Sequence, residues 1–149
     1  MKQILKKFST LIILVVLVVI FSVASPNFLR INNILNVLRQ VAVIGILSAG
    51  MTYVIISGGM DLTVGAYLGL SGVAVAQMIS GGMAAPLAII LTMLIMTVIG
   101  IITGALIVGL DVSAIVITLG MMTVVRGLAY IFSGGLPVRI PSYFLVRDM

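Results

Sequence analysis

Asp61 and Asp111 are the only side chains charged at neutral pH between Val41 and Val125. A carboxylate in so apolar a stretch has three uses: it can cap a helix, bind a cation, or take part in a polar pathway. Asp61 stands in "SGGMDLTVG", after two glycines and before Leu62-Thr63. It is therefore placed to cap a following helix by accepting the N–H of Thr63 or Val64. A direct part in a permeation path or gate is compatible with that role. Asp111, in the short break "DVS", is expected to cap the next helix with Ser113. Arg126 lies inside a later apolar run, where an unpaired charge costs about 2.5–3.5 kcal/mol even on the gentler insertion scale. Pairing with a helix C-terminus or with Asp61 is the preferred reading; snorkelling to the interface is the alternative.

The elements that must hold these groups follow from composition. Of 149 residues, 62% are hydrophobic and 7% charged, with a mean hydropathy of +1.43. Soluble domains do not have this composition. Apolar runs of about 20 residues, enough to cross a core of about 30 Å, follow one another with short interruptions. The expected spans are 8–24, 41–56, 62–79, 87–110 and 114–132, a polytopic all-α bundle forming one transmembrane domain. The stretch "SPNFLRINNILNVLRQ" precedes the second span, with Phe28, Ile31, Ile34, Leu35 and Leu38 at helical spacing. It reads as a separate amphipathic helix at the outer surface, with Arg30 and Arg39 reaching headgroups. Lys2, Lys6 and Lys7 before the first run mark an uncleaved signal anchor rather than a cleaved leader, with the N-terminus inside.

Three Ser-Gly-Gly elements, at Ser57, Ser80 and Ser133, each close an apolar segment. They read as helix ends, where glycine supplies a left-handed residue. Gly58 and Gly59 belong to the first. Pro86 suits the first turn of the fourth span. Alternation puts the first of these turns and Asp111 on the cytoplasmic side and the other two turns outside. Within the spans, Gly65, Gly69 and Gly72 share a face, Gly100 and Gly104 form G-x-x-x-G, and Gly127 pairs with Thr123. In lipid, where apolar surface gives no drive to pair helices, such faces allow close backbone contact.

Several classes of chemistry are excluded. The sequence has no cysteine and no histidine, which removes thiol catalysis, disulfides and the usual zinc sites. The Gly-rich stretch lacks the lysine of a phosphate loop, and no carboxylate pair shares a helix face. The net charge of +5 is dispersed along the chain and suits helix flanks rather than nucleic acid. No cofactor, metal or catalytic residue is expected, and any ATP hydrolysis belongs to another chain.

The run "NNILNVLRQVAVIGILSAGMTYVIISGGMDLTVGAYLGLSG" resembles the signature of bacterial inner-membrane permeases of the ribose type. "VSAIVITLGMMTVVRGLAYIFSGGLPV", Val112 to Val138, agrees with it. The resemblance extends from Phe28 to Pro141; "GGMDLTVG" corresponds to the family's G-G-I-D-L-S-V-G and Arg126-Gly127 to its R-G pair. It implies a multi-pass permease subunit of an ATP-driven monosaccharide importer working by alternating access. The implied partners are two cytoplasmic ATPase subunits, a periplasmic sugar-binding protein and a second permease copy, in the lipid bilayer of the inner membrane. Family members run to about twice this length, with around ten spans of about 20 residues, so the chain corresponds to their N-terminal half. Asp61, Thr63, Asn33 and Arg126 are the candidates for the pathway or its gate. The alternatives are an ion-coupled secondary transporter with Asp61 as coupling residue, and a non-transporting half-permease or scaffold.

Overall fold

The computed structural model describes residues 8–139; Lys2, Lys6, Lys7 and Arg147 lie outside the described residues. All regular structure among them is helical: α1 (Ser9–Ala24), α2 (Ile31–Ile56), α3 (Val64–Ser80), α4 (Ala85–Gly109) and α5 (Ala114–Ser133). The chain divides into two compact units, Met1–Ala49 and Gly50–Met149, and α2 passes from the first into the second.

In the first unit, α1 is dominated by β-branched Val and Ile, which are only middling helix formers in water, with Leu among them. Lipid offers no partner for its backbone, so internal hydrogen bonds impose the helix. After α1 the rings of Phe21 and Phe28 stack at 5.8 Å. The Asn33 amide donates to the Phe28 carbonyl at 2.8 Å, fixing the entry to α2. The expected amphipathic helix and second span are one continuous helix of 26 residues. No proline or glycine stands between Ile31 and Ile44 to end a helix, so the polar entry and the apolar span propagate as one rod.

In the second unit, α3 packs on both α4 and α5 around Ala66, Leu70 and Val125, with Met96, Ile99 and Met122 against them. Polar bonds fix the helix directions. The Thr118 hydroxyl, near the start of α5, donates to the Met60 carbonyl before α3 at 3.4 Å. Gln77, near the end of α3, donates to the Phe132 carbonyl at the end of α5 at 2.9 Å. Hence α3 and α5 run parallel, with α4 antiparallel between their ends. The Ser57 turn and Asp111 thus share one end of this unit, and the Ser80 and Ser133 turns share the other.

Each Ser-Gly-Gly element closes its helix with the same paired bonds. Gly58 and Gly59 donate to Ile55 and Val54, Gly82 and Met83 to Ile79 and Met78, Gly134 and Gly135 to Ile131 and Tyr130. The left-handed residue is the first glycine, Gly58, in the first turn (φ 81°) and the second, Gly82, in the middle turn (φ 92°), while both Gly134 and Gly135 are left-handed in the last (φ 63° and 73°). Pro86 sits in the first turn of α4, as expected. Asp111 departs from expectation: it adopts φ 50°, the left-handed residue just past the end of α4. That tight reversal places it as a helix-end residue, a conformation aspartate tolerates, and α5 follows the N-cap residue Ser113 without a side-chain cap bond.

By length and composition α2, α4 and α5 are each sufficient to cross a membrane; α1 and α3, with 16 and 17 residues, are shorter. At 1.5 Å per residue α3 is about 26 Å long. It starts at Val64 rather than at 62 because residues 59–63 are non-helical.

Candidate functional site

The break at 59–63 is where the second unit concentrates its polar groups. Non-helical backbone needs partners that a helix would otherwise supply, and several of its groups find them within the protein. One Asp61 oxygen, Oδ1, accepts the Thr63 backbone N–H at 2.7 Å and also the Thr63 hydroxyl. Thr63 is completely buried, and its carbonyl accepts the first helical bond of α3, from Tyr67 N–H. Met60 O is met by Thr118, itself buried. Asp61 therefore anchors the start of α3, as its spacing suggested.

Beside this break is a cavity of about 170 Å³ whose walls include Asp61, Tyr67, Thr103, Thr118, Gly100 and Gly104. The Tyr67 hydroxyl lies 2.8 Å from Thr103 Oγ1, joining α3 to α4. A Cβ on Gly100 or Gly104 would meet nothing within 4 Å, so their lack of side chains leaves room. A larger cavity of about 540 Å³ lies between α3, α4 and α5 toward their other end. Leu70, Met78, Met96 and Phe132 line it, and its walls are almost wholly apolar, so it offers little to recognise a polar solute.

The structure brings only some of the expected residues together. Asp61 and Thr63 are in the site, and Gly100 and Gly104 line its cavity. Asn33 lies in the first unit, bonded to Phe28. Arg126 is exposed on α5 beside the buried Val125, and the expected pairing with Asp61 is not formed. One oxygen of the Asp61 carboxylate is bonded locally by Thr63 instead. Gly65, Gly69, Gly72 and Gly127 are exposed, with open space where a Cβ would stand. Gly58 is the left-handed residue of its turn and Gly59 abuts Val54. Tyr67, Thr103 and Thr118 are functional candidates that charge and glycine patterns do not reveal. Their signal was available: Tyr67 follows Thr63 by four residues, one helical turn, and Thr103 adjoins Gly104 inside an apolar run.

Helix length and composition define an integral membrane protein. Residues 33–139 match the family model described as "Branched-chain amino acid transport system / permease component". The chain belongs to that family of transport permeases, whose place is the bacterial inner membrane. It is 45% identical over 135 residues to the ribose import permease protein of Bacillus subtilis, covering 91% of this chain and 42% of that protein. With the ribose import permease protein of Haemophilus influenzae the identity is 39% over 127 residues, 85% and 39% of the two chains. The autoinducer 2 import system permease protein of Salmonella paratyphi A is 40% identical over 114 residues, 76% and 34%. The chain thus spans about two fifths of the length of the ribose permeases it matches. No solved structure matches it.

Proposed function

We propose that the chain is the N-terminal part of the permease subunit of an ATP-driven importer for a monosaccharide, ribose being the first to test. Its identity to ribose import permeases across most of its length carries this reading. The polar break and cavity around Asp61 support it, since a solute crossing an apolar bundle needs such a place. In this proposal two ATPase subunits hydrolyse ATP, a periplasmic binding protein delivers the sugar, and a second permease copy completes the path. Alternation between inward and outward states opens the Asp61 cavity to each side in turn.

The test is labelled ribose uptake in bacteria that lack their own ribose permease but keep its ATPase and binding protein. The chain is expressed there together with the unmatched remainder of the Bacillus subtilis relative. Uptake that needs the ATPase and survives a protonophore is expected. Uptake that a protonophore abolishes and that persists without the ATPase would establish an ion-coupled carrier instead. Absence of uptake would overturn the proposal.

A further inference from the structure

The hydroxyl protons around the Asp61 cavity are all committed, and this decides what the cavity can hold. A hydroxyl has one proton to donate and two lone pairs. Thr103 gives its proton to the Ile99 carbonyl at 2.9 Å, so in the 2.8 Å contact with Thr103 it is Tyr67 that donates. The Tyr67 oxygen keeps its lone pairs. Thr118 directs its proton to the carbonyls of Met60 and Ile115, at 3.4 and 3.3 Å. Asp61 uses Oδ1 for Thr63, and Oδ2 has no hydrogen-bond partner among the described residues. The polar side chains of this wall are therefore acceptors without a spare proton.

A ligand that satisfies them must bring protons. The volume, about 170 Å³, is well above the roughly 10–15 Å³ of such space that one water needs and much more than a single bare cation occupies. We propose that this cavity is a binding site for a neutral polyol, a monosaccharide donating its hydroxyls, with Asp61, Tyr67 and Thr118 as the accepting residues. The proposal rests on the importer reading and adds the groups that select the solute: recognition by hydroxyl count, with Tyr67 as a specificity-determining residue.

Tyr67→Phe is the informative variant. It removes one acceptor from the cavity, while Thr103 remains bonded to Ile99 and no buried group is orphaned. Ser71→Ala, on α3 but outside the cavity, is the control. The experiment measures ribose and 2-deoxyribose binding to the full chain in lipid nanodiscs by saturation-transfer NMR, with thermal unfolding in parallel. Tyr67→Phe should weaken ribose binding about two- to tenfold and lower the unfolding midpoint only slightly, for the one hydroxyl bond to Thr103 that it loses, and deoxyribose should bind more weakly than ribose. Ser71→Ala should bind as the unaltered chain does. Equal ribose affinity in the unaltered chain and Tyr67→Phe would overturn the assignment. So would ribose binding abolished by sodium at constant ionic strength, since the cavity would then hold a cation. Retained binding without cellular uptake counts against the importer reading alone, and uptake without cavity-dependent binding counts against this site alone.

Discussion

Replacing Asp61 separates its work as a hydrogen-bond acceptor from its work as a charge. In Asp61→Ala, the Thr63 N–H and hydroxyl both lose their acceptor, and Thr63 has no exposure to water. An unmet buried donor costs about 1–3 kcal/mol. Two of them, partly relieved because Asp61 itself is only half-buried, give a loss of about 2–4 kcal/mol. Asp61→Asn keeps a carbonyl oxygen in place of Oδ1 and should cost only about 1 kcal/mol, the difference between charged and neutral acceptors. Thr63→Val removes one donor and keeps the backbone bond, costing about 1 kcal/mol. Reversible unfolding in mixed micelles of the three single variants and of the double variant Asp61→Ala/Thr63→Val provides the measurement. The double variant should lose less than the sum of the singles, because the pair interacts directly. Equal losses in Asp61→Ala and Asp61→Asn would show that charge, not acceptance, matters. Strict additivity would refute the local bond as the cause.

Two further outcomes follow from the turns and from α5. Gly82→Ala forces a side chain into φ 92° and should lower stability by about 1–2 kcal/mol. Gly81→Ala, at φ −77°, should cost clearly less; an inverted order in thermal unfolding would contradict the observed turn register. Arg126→Leu should leave unfolding within about 0.5 kcal/mol of the unaltered chain, since the arginine is exposed and unpaired with Asp61. A loss above about 2 kcal/mol on micelle unfolding would reveal a partner for it.

Several features were legible in the sequence because one residue type decides them. Asp61 before Thr63 specifies the bond to the Thr63 N–H just ahead of α3, Pro86 the start of α4, and the Ser-Gly-Gly elements the ends of α2, α3 and α5. The position of the left-handed residue within an element was not legible, because two adjacent glycines allow either register and the helix before them chooses. The continuity of α2 was missed for a related reason: polar residues at a helix entrance look like a boundary in a hydropathy pattern, yet they do not stop helical hydrogen bonding. Tyr67, Thr103 and Thr118 were obscured because hydroxyls in apolar helices commonly bond to their own backbone, as Thr97 and Thr123 do here. Only tertiary placement separates those that also face a neighbouring helix.

The local environment of Asp61 explains how a carboxylate is tolerated here without an arginine beside it. The parallel course of α3 and α5 brings two helix N-termini to the same end of the second unit, and the Thr118 bond to Met60 holds the second turn of α5 against the break that contains Asp61. Each N-terminus presents unpaired N–H groups and about half a positive charge, which favours a nearby anion by about 0.3–1 kcal/mol when exposed and up to about 2 kcal/mol when partly buried. The direct N–H bond from Thr63 holds one oxygen of the carboxylate in place. An ion pair with Arg126 would occupy the oxygen that the proposed polyol site uses. Stabilisation by helix ends and one threonine leaves Oδ2 unoccupied, so the fold can hold the carboxylate in place and still keep part of it available to a solute.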